Sequence, residues 1–258
     1  MKHARLRFTV FIAVVLGAPA VLMAAGDPRL ADLGKLVMIL SPAVAGLALN
    51  LGVGRSAGPR RWGWVARAAA ITLAVAAGAV AVALMAGAAR FGPPAGDGQL
   101  VLTRAGISGL TSVLEELGWA GGGLALAIGA FGRRWGVGVL GLAWAAWHLI
   151  PTFLKVGLFP QLEAAPPAML GAFVLACLIY RELLTALRER AGTWLAAAAG
   201  HAAPNIALAA AMAGGLGGFD GTRAWPFFPA PGGLVFPVLA LIALLAVRRP
   251  TASGRRPR

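Results

Sequence analysis

Ile107-Ser108-Gly109-Leu110-Thr111-Ser112-Val113-Leu114-Glu115-Glu116-Leu117-Gly118-Trp119-Ala120-Gly121-Gly122-Gly123-Leu124-Ala125-Leu126-Ala127-Ile128-Gly129-Ala130-Phe131 holds two adjacent carboxylates and no other charged side chain. A helix rises 1.5 Å per residue, so about 20 such residues cross the hydrocarbon core of a bilayer. The stretch is therefore a membrane-spanning segment with ionisable groups near its middle. The rest of the chain has the same character. Of its 258 residues 59% are hydrophobic and only 12% are charged, against about 25% charged in ordinary globular domains. That composition excludes a disordered chain and argues against a soluble domain.

Eight apolar segments alternate with charged or Pro/Gly-rich connections: Phe8–Ala25, Leu36–Val53, Trp64–Ala89, Leu100–Phe131, Trp135–Phe153, Ala165–Tyr180, Trp194–Ala213 and Gly233–Val247. The expected fold is an all-α polytopic helix bundle of about eight spans. It forms one integral membrane domain over the whole chain, 1–258. Lys2, Arg5 and Arg7 before an apolar stretch ending Met23-Ala24-Ala25 also fit a cleaved leader, but the charge pattern favours a retained helix. With the N-terminus inside, the alternate connections counted as inner hold seventeen of the 23 Lys and Arg residues, Arg133, Arg134, Arg181, Arg188 and Arg190 among them. The outer connections hold Arg29, Lys35, Arg90, Arg104, Lys155 and Arg223. This split is the positive-inside pattern and places both termini in the cytoplasm. Trp62, Trp64, Trp135, Trp194 and Tyr180 fall at the inner ends of their spans, where aromatic side chains favour the headgroup region. The net charge of +14 is thus spread over membrane-flanking loops and does not point to nucleic acid. A single cysteine, Cys177, excludes a disulfide framework and a cysteine-based zinc site.

Few polar residues remain once the connections are set aside. Glu115 and Glu116 lie in the fourth span, His148 in the fifth and His201 in the seventh. Ionisable groups cost about 2.5–3.5 kcal/mol each at the bilayer centre, so they face a bundle interior or a cavity. Adjacent residues point about 100° apart on a helix, which gives Glu115 and Glu116 different partners. Two neighbouring carboxylates in low dielectric do not both ionise cheaply. His201 and Asn205 share one helical face at i, i+4, and Pro204 between them removes a backbone donor.

These residues form three ordered patterns: Glu115-Glu116-Leu117-Gly118-Trp119-Ala120, then Trp144-Ala145-Ala146-Trp147-His148-Leu149-Ile150-Pro151, then His201-Ala202-Ala203-Pro204-Asn205. They resemble the EExxxR, FxxxH and HxxxN/D motifs of the CPBP intramembrane proteases, which include the CAAX prenyl endopeptidases and the Abi-type bacterial proteins. The chain departs at two positions, with Ala120 for the motif Arg and Trp144 for the motif Phe. The first removes a cation one turn after Glu116, so Glu116 is expected to be protonated and to donate a hydrogen bond. On that basis Glu116→Gln and Ala120→Arg should both be tolerated.

The resemblance implies a catalytic core at 107–213 and hydrolysis of a peptide bond within the membrane, acting on a membrane-associated peptide or protein. Glu115 and His148 would activate water, with Glu116 in the same site. His201 and Asn205 would stabilise the tetrahedral oxyanion. Such a mechanism needs no cofactor. The older metalloprotease view would instead make Glu115, His148 and His201 ligands of Zn2+, a known catalytic set, although no HExxH pair is present. Two other classes stay open. Intramembrane Glu and His also build proton-coupled transporters, and Ala120 is compatible with a non-catalytic scaffold. A multi-pass protein of a bacterial inner membrane is the expected location.

Overall fold

The computed structural model describes residues 2–49, 61–94, 96–217 and 225–249. Arg55, Arg60, Arg223, Arg255, Arg256 and Arg258, all used in the charge reading, lie outside the described residues. The described chain is an all-α polytopic bundle: α1 (Lys2–Ile12), α2 (Ala18–Ala24), α3 (Pro28–Leu49), α4 (Trp62–Met85), α5 (Gly98–Glu116), α6 (Leu124–Phe153), α7 (Pro160–Glu163), α8 (Pro167–Ala191), α9 (Leu195–Ala213) and α10 (Val235–Arg248). One two-residue antiparallel ladder, β1 (Arg90–Phe91) with β2 (Leu216–Gly217), joins the connections after α4 and α9.

Among the described residues six stretches are long and apolar enough to cross a membrane, counting Gly98–Phe153 as one. That stretch is not a single rod. Gly132 has φ 76° and ψ 167°, a backbone conformation that other L-residues rarely adopt. The chain reverses there: a Cβ on Gly136 would lie 2.7 Å from the Ala127 carbonyl carbon, whereas nine residues of straight helix would separate the two by about 13 Å. The expected boundary between Phe131 and Trp135 falls on this turn. α10 has 14 residues, about 21 Å of helix, shorter than the segment expected to span. Arg190 donates to the Val247 and Arg249 carbonyls, both at 2.7 Å, and so closes the carboxyl end of α10.

The sixth expected segment needs correcting. Its helix does not end at Tyr180 but continues through the apolar run Leu183-Leu184 to Ala191, which is buried. Tyr180 and Arg181 therefore sit in the body of α8, and neither lies at the inner face.

Proline fixes how the helices meet. A proline lacks the N–H that would bond the carbonyl four residues back, and a carbonyl in a dry interior needs another donor. Pro42 leaves the Met38 carbonyl, which accepts from Trp147 Nε1 at 3.2 Å and from Ser41 Oγ at 3.2 Å. Pro204 leaves the Gly200 carbonyl, which accepts from the Tyr180 hydroxyl at 2.7 Å. Each bond ties a neighbouring helix to the kink, α6 to α3 and α8 to α9.

Glycine sets the closest approach. After Glu116 the helix widens into a π-helical segment, Leu117–Gly123. Its Gly118 and Gly122 lie one turn apart against Pro42 and Gly46 of α3, the small-xxx-small arrangement of membrane helix pairs. A Cβ on Gly122 would come 2.5 Å from Gly46 Cα, and one on Gly118 would collide with the Pro42 carbonyl. The indole of Trp119 is fully buried and meets Phe11 of α1 edge-on at 5.6 Å between ring centroids. The outcome expected for Gly118→Ala is a loss of about 1–3 kcal/mol, the usual cost of forcing atoms into a packed core. Thermal unfolding of the purified protein in detergent measures it, and an unchanged midpoint would contradict the close crossing.

Candidate active site

The three motif helices meet as the cost of buried charge requires, but their side chains pair in an unexpected way. Glu116 is fully buried and accepts two parallel hydrogen bonds from Arg181, Nη1 to Oε2 at 2.7 Å and Nη2 to Oε1 at 2.9 Å. The side chain of Arg181 is 1% exposed. His201 Nδ1 lies 3.1 Å from the same Oε1. Glu116 is therefore an acceptor on both oxygens, and the expectation of a protonated donor does not hold. The cation missing at Ala120 is supplied across the bundle from α8. A buried guanidinium is most stable where a carboxylate meets its planar fork in two bonds, as here.

Arg181 also lies 4.3 Å above the Trp144 ring, within cation–π range. The indole is enclosed by rings, with His148 edge-on at 5.5 Å, His201 edge-on at 5.2 Å and Tyr180 stacked at 6.2 Å. Its Nε1 donates to Glu115 Oε2 at 3.1 Å. The two glutamates thus take different partners, as their angular separation requires: Glu115 faces α6, while Glu116 faces α8 and α9.

The tautomers follow from these partners. His148 Nδ1 is 3.0 Å from the Trp144 carbonyl, which can only accept, so Nδ1 carries the hydrogen and Nε2 is a bare acceptor. Glu116 likewise takes a hydrogen from His201 Nδ1, leaving Nε2 as the second ring nitrogen. Asn205 donates one amide hydrogen to Ser112 Oγ at 2.9 Å, and Ser112 donates to the Ser108 carbonyl at 2.8 Å. The other amide hydrogen of Asn205 is not used by this bond.

A cavity of about 270 Å³ opens beside these groups. His148, His201 and Asn205 line it together with Trp144 and Tyr180, and much of its wall is apolar, with Phe159, Phe173 and Phe236 contributing rings. Glu115 and Glu116 are not among the wall residues. The cavity thus brings together the two histidines and the asparagine, while neither carboxylate lines it. The zinc set fares less well. Each histidine does have a partner on Nδ1 of the kind that orients metal ligands. Glu115, however, is held by Trp144, and no group of three His, Cys, Asp or Glu side chains is placed to hold a metal among the described residues. The arrangement does not fit Zn2+ on Glu115, His148 and His201.

Sequence reasoning missed Arg181, Ser112, Tyr180 and the Trp144 N–H. Arg181 carried a signal: Leu183-Leu184-Thr185-Ala186-Leu187 after it continues the apolar run, so it lies inside a helix rather than after one. Glu116, with no cation on its own helix, was the carboxylate in need of it.

The family model described as Rce1-like, type II CAAX prenyl endopeptidase, matches residues 97–207, the segment that carries all three motifs. The resemblance to the CAAX-type intramembrane proteases is shown over that segment. It supports a protease of this kind in a multi-pass membrane protein. Comparison with curated proteins gives no match.

Ala120 is buried and Glu116 already has its guanidinium. Ala120→Arg should therefore not be tolerated. It places a second cation in the core at a cost of roughly 3–5 kcal/mol, the penalty for an uncompensated buried charge. Folded yield and thermal midpoint in detergent are the readouts, and wild-type values for both would show that Glu116 has room for two guanidinium partners.

Proposed function

We propose that the chain is an intramembrane endopeptidase that hydrolyses a peptide bond of a membrane-associated protein or peptide. The observation that carries this reading is the convergence of His148, His201 and Asn205 on one largely apolar cavity, with Glu115 directly behind its Trp144 wall. An apolar chamber suits a substrate delivered from the bilayer, and the three polar groups mark where its amide would react.

In the proposed reaction Glu115 and His148 activate water. His148 contributes through Nε2, the acceptor left by its bond to the Trp144 carbonyl. A positioned base of this kind is worth about 10²–10⁴ in rate. The hydroxide adds to the scissile carbonyl, and the charge on its oxygen is met by the Asn205 amide hydrogen together with His201. Ser112 and Glu116 hold these two groups, and Arg181 holds Glu116. Donors fixed before the reaction cost no reorganisation during it, which is where such a site obtains its advantage over water. Collapse of the tetrahedral intermediate passes the proton taken from water to the leaving amine.

The mechanism uses the chain's own side chains and needs no metal ligand set. The scaffold reading rested on Ala120, and Arg181 removes its motive. The orientation proposed from the charge pattern places both termini in the cytoplasm of a bacterial cell. Moving Arg181 from an inner connection into the core leaves that pattern intact.

Cells making wild type and Glu115→Gln should differ in the peptides released from their membranes. The variant should fold normally and lose cleavage by about 10²–10⁴, because Gln cannot take a proton from water. Quantitative peptidomics of the two membranes tests this, and identical peptide sets from equally folded proteins would refute the reading.

A further inference from the structure

Trp144 occupies the position where the resembled family carries Phe, and the substitution adds one chemical feature, the indole N–H. That hydrogen is spent on Glu115 Oε2 at 3.1 Å. Glu115 is 7% exposed and is not among the cavity residues, whereas Trp144 is. The carboxylate is thus bonded to a wall residue without itself lining the space where water and substrate would meet. Phe could fill the same wall but could not hold the acid.

The geometry points to Trp144 as a latch: a positioning residue whose N–H keeps the Glu115 carboxylate behind the cavity wall, so that the acid reaches the cavity only when the indole turns away. The inference rests on the reading of Glu115 as the water-activating group. Its neighbours hold the ring in the observed position. The edges of His148 and His201 and the face of Tyr180 flank it, and the Arg181 guanidinium lies over it while remaining bound to Glu116. Release of the latch breaks this hydrogen bond and gives up the ring's contact with the Arg181 guanidinium, while the two bonds between Arg181 and Glu116 do not involve the indole. In this chain the departure from the family pattern at Trp144 adds control over the site without removing a reacting group.

The latch can be tested without a substrate. N,N′-dicyclohexylcarbodiimide is an apolar reagent that enters membranes and adds to protonated carboxyl groups. The full-length protein in its own membranes is treated at mildly acidic pH, and modification of Glu115 and Glu116 is followed by peptide mass spectrometry. Trp144→Phe should raise the labelling rate of Glu115 by about fivefold or more, the shift expected for the loss of one net hydrogen bond. Glu116, held by Arg181, should stay at its wild-type rate. Equal Glu115 rates in wild type and variant would overturn the latch, and so would a parallel rise at Glu115 and Glu116, which marks a generally loosened core. Should Trp144→Phe not accumulate, Trp144→Leu also lacks a side-chain donor and carries the same expectation. A failure of the protease reading appears in the peptidome comparison, whereas a failure of the latch appears in this labelling ratio.

Discussion

The bidentate ion pair between Glu116 and Arg181, with His201 on the same carboxylate oxygen, is the constraint around which the core is arranged. Neither charge could stand alone in this interior, where an unpaired ion costs several kcal/mol. Once paired they join α5, α8 and α9 at one point and leave little freedom in how those helices rotate. The position of His201 in the cavity wall follows, because its other ring nitrogen is committed to Glu116. The position of Trp144 follows as well, since the guanidinium lies on its ring. A polar network of this kind fixes an arrangement through the members that are satisfied; both Glu116 oxygens and both Arg181 Nη groups are bonded, while Arg181 Nε has no partner among the described residues.

Around this pair the packing is built from backbone features rather than bulky side chains. Gly118 and Gly122 bring the segment after the glutamates against Pro42 and Gly46 of α3. Lipid tails are as apolar as leucine, so close van der Waals contact and buried hydrogen bonds replace the hydrophobic drive available in water. The carbonyls left open by Pro42 and Pro204 then become sockets for Trp147 and Tyr180. Both aromatic side chains are neighbours of site residues, Trp147 of His148 and Tyr180 of Arg181. The kinks and the site are therefore parts of one construction. At the periphery, Arg133 joins the α6 turn to Glu182 and Glu189, and Arg248 also pairs with Glu182.

The helical class and the order of the apolar segments were legible because their causes are local: apolar runs, the Gly132-Arg133-Arg134 turn, and a Pro between His201 and Asn205. The candidate site was legible as residue types, since Glu115, Glu116, His148, His201 and Asn205 are costly where they stand. Which of them pair was not legible. Glu116 and Arg181 are 65 residues apart, and no periodicity links them. Arg181 also resembled the basic residue that ends a span, because Glu182 follows it. The placement of Glu115 behind Trp144 depends on one rotamer choice and left no trace in spacing. Ala120 was the most misleading position, since an absent cation on α5 says nothing of a cation arriving from another helix.

The central claim is that Glu116 and Arg181 act as one unit. A double-mutant cycle measures that directly, with Glu116→Gln, Arg181→Met and the double variant unfolded thermally in detergent beside wild type. The account predicts strong coupling: each single change is costly because it strands a buried partner, and the second change adds much less, with an interaction energy of about 2 kcal/mol or more. Additive effects within about 0.5 kcal/mol would show two independent residues and would contradict it.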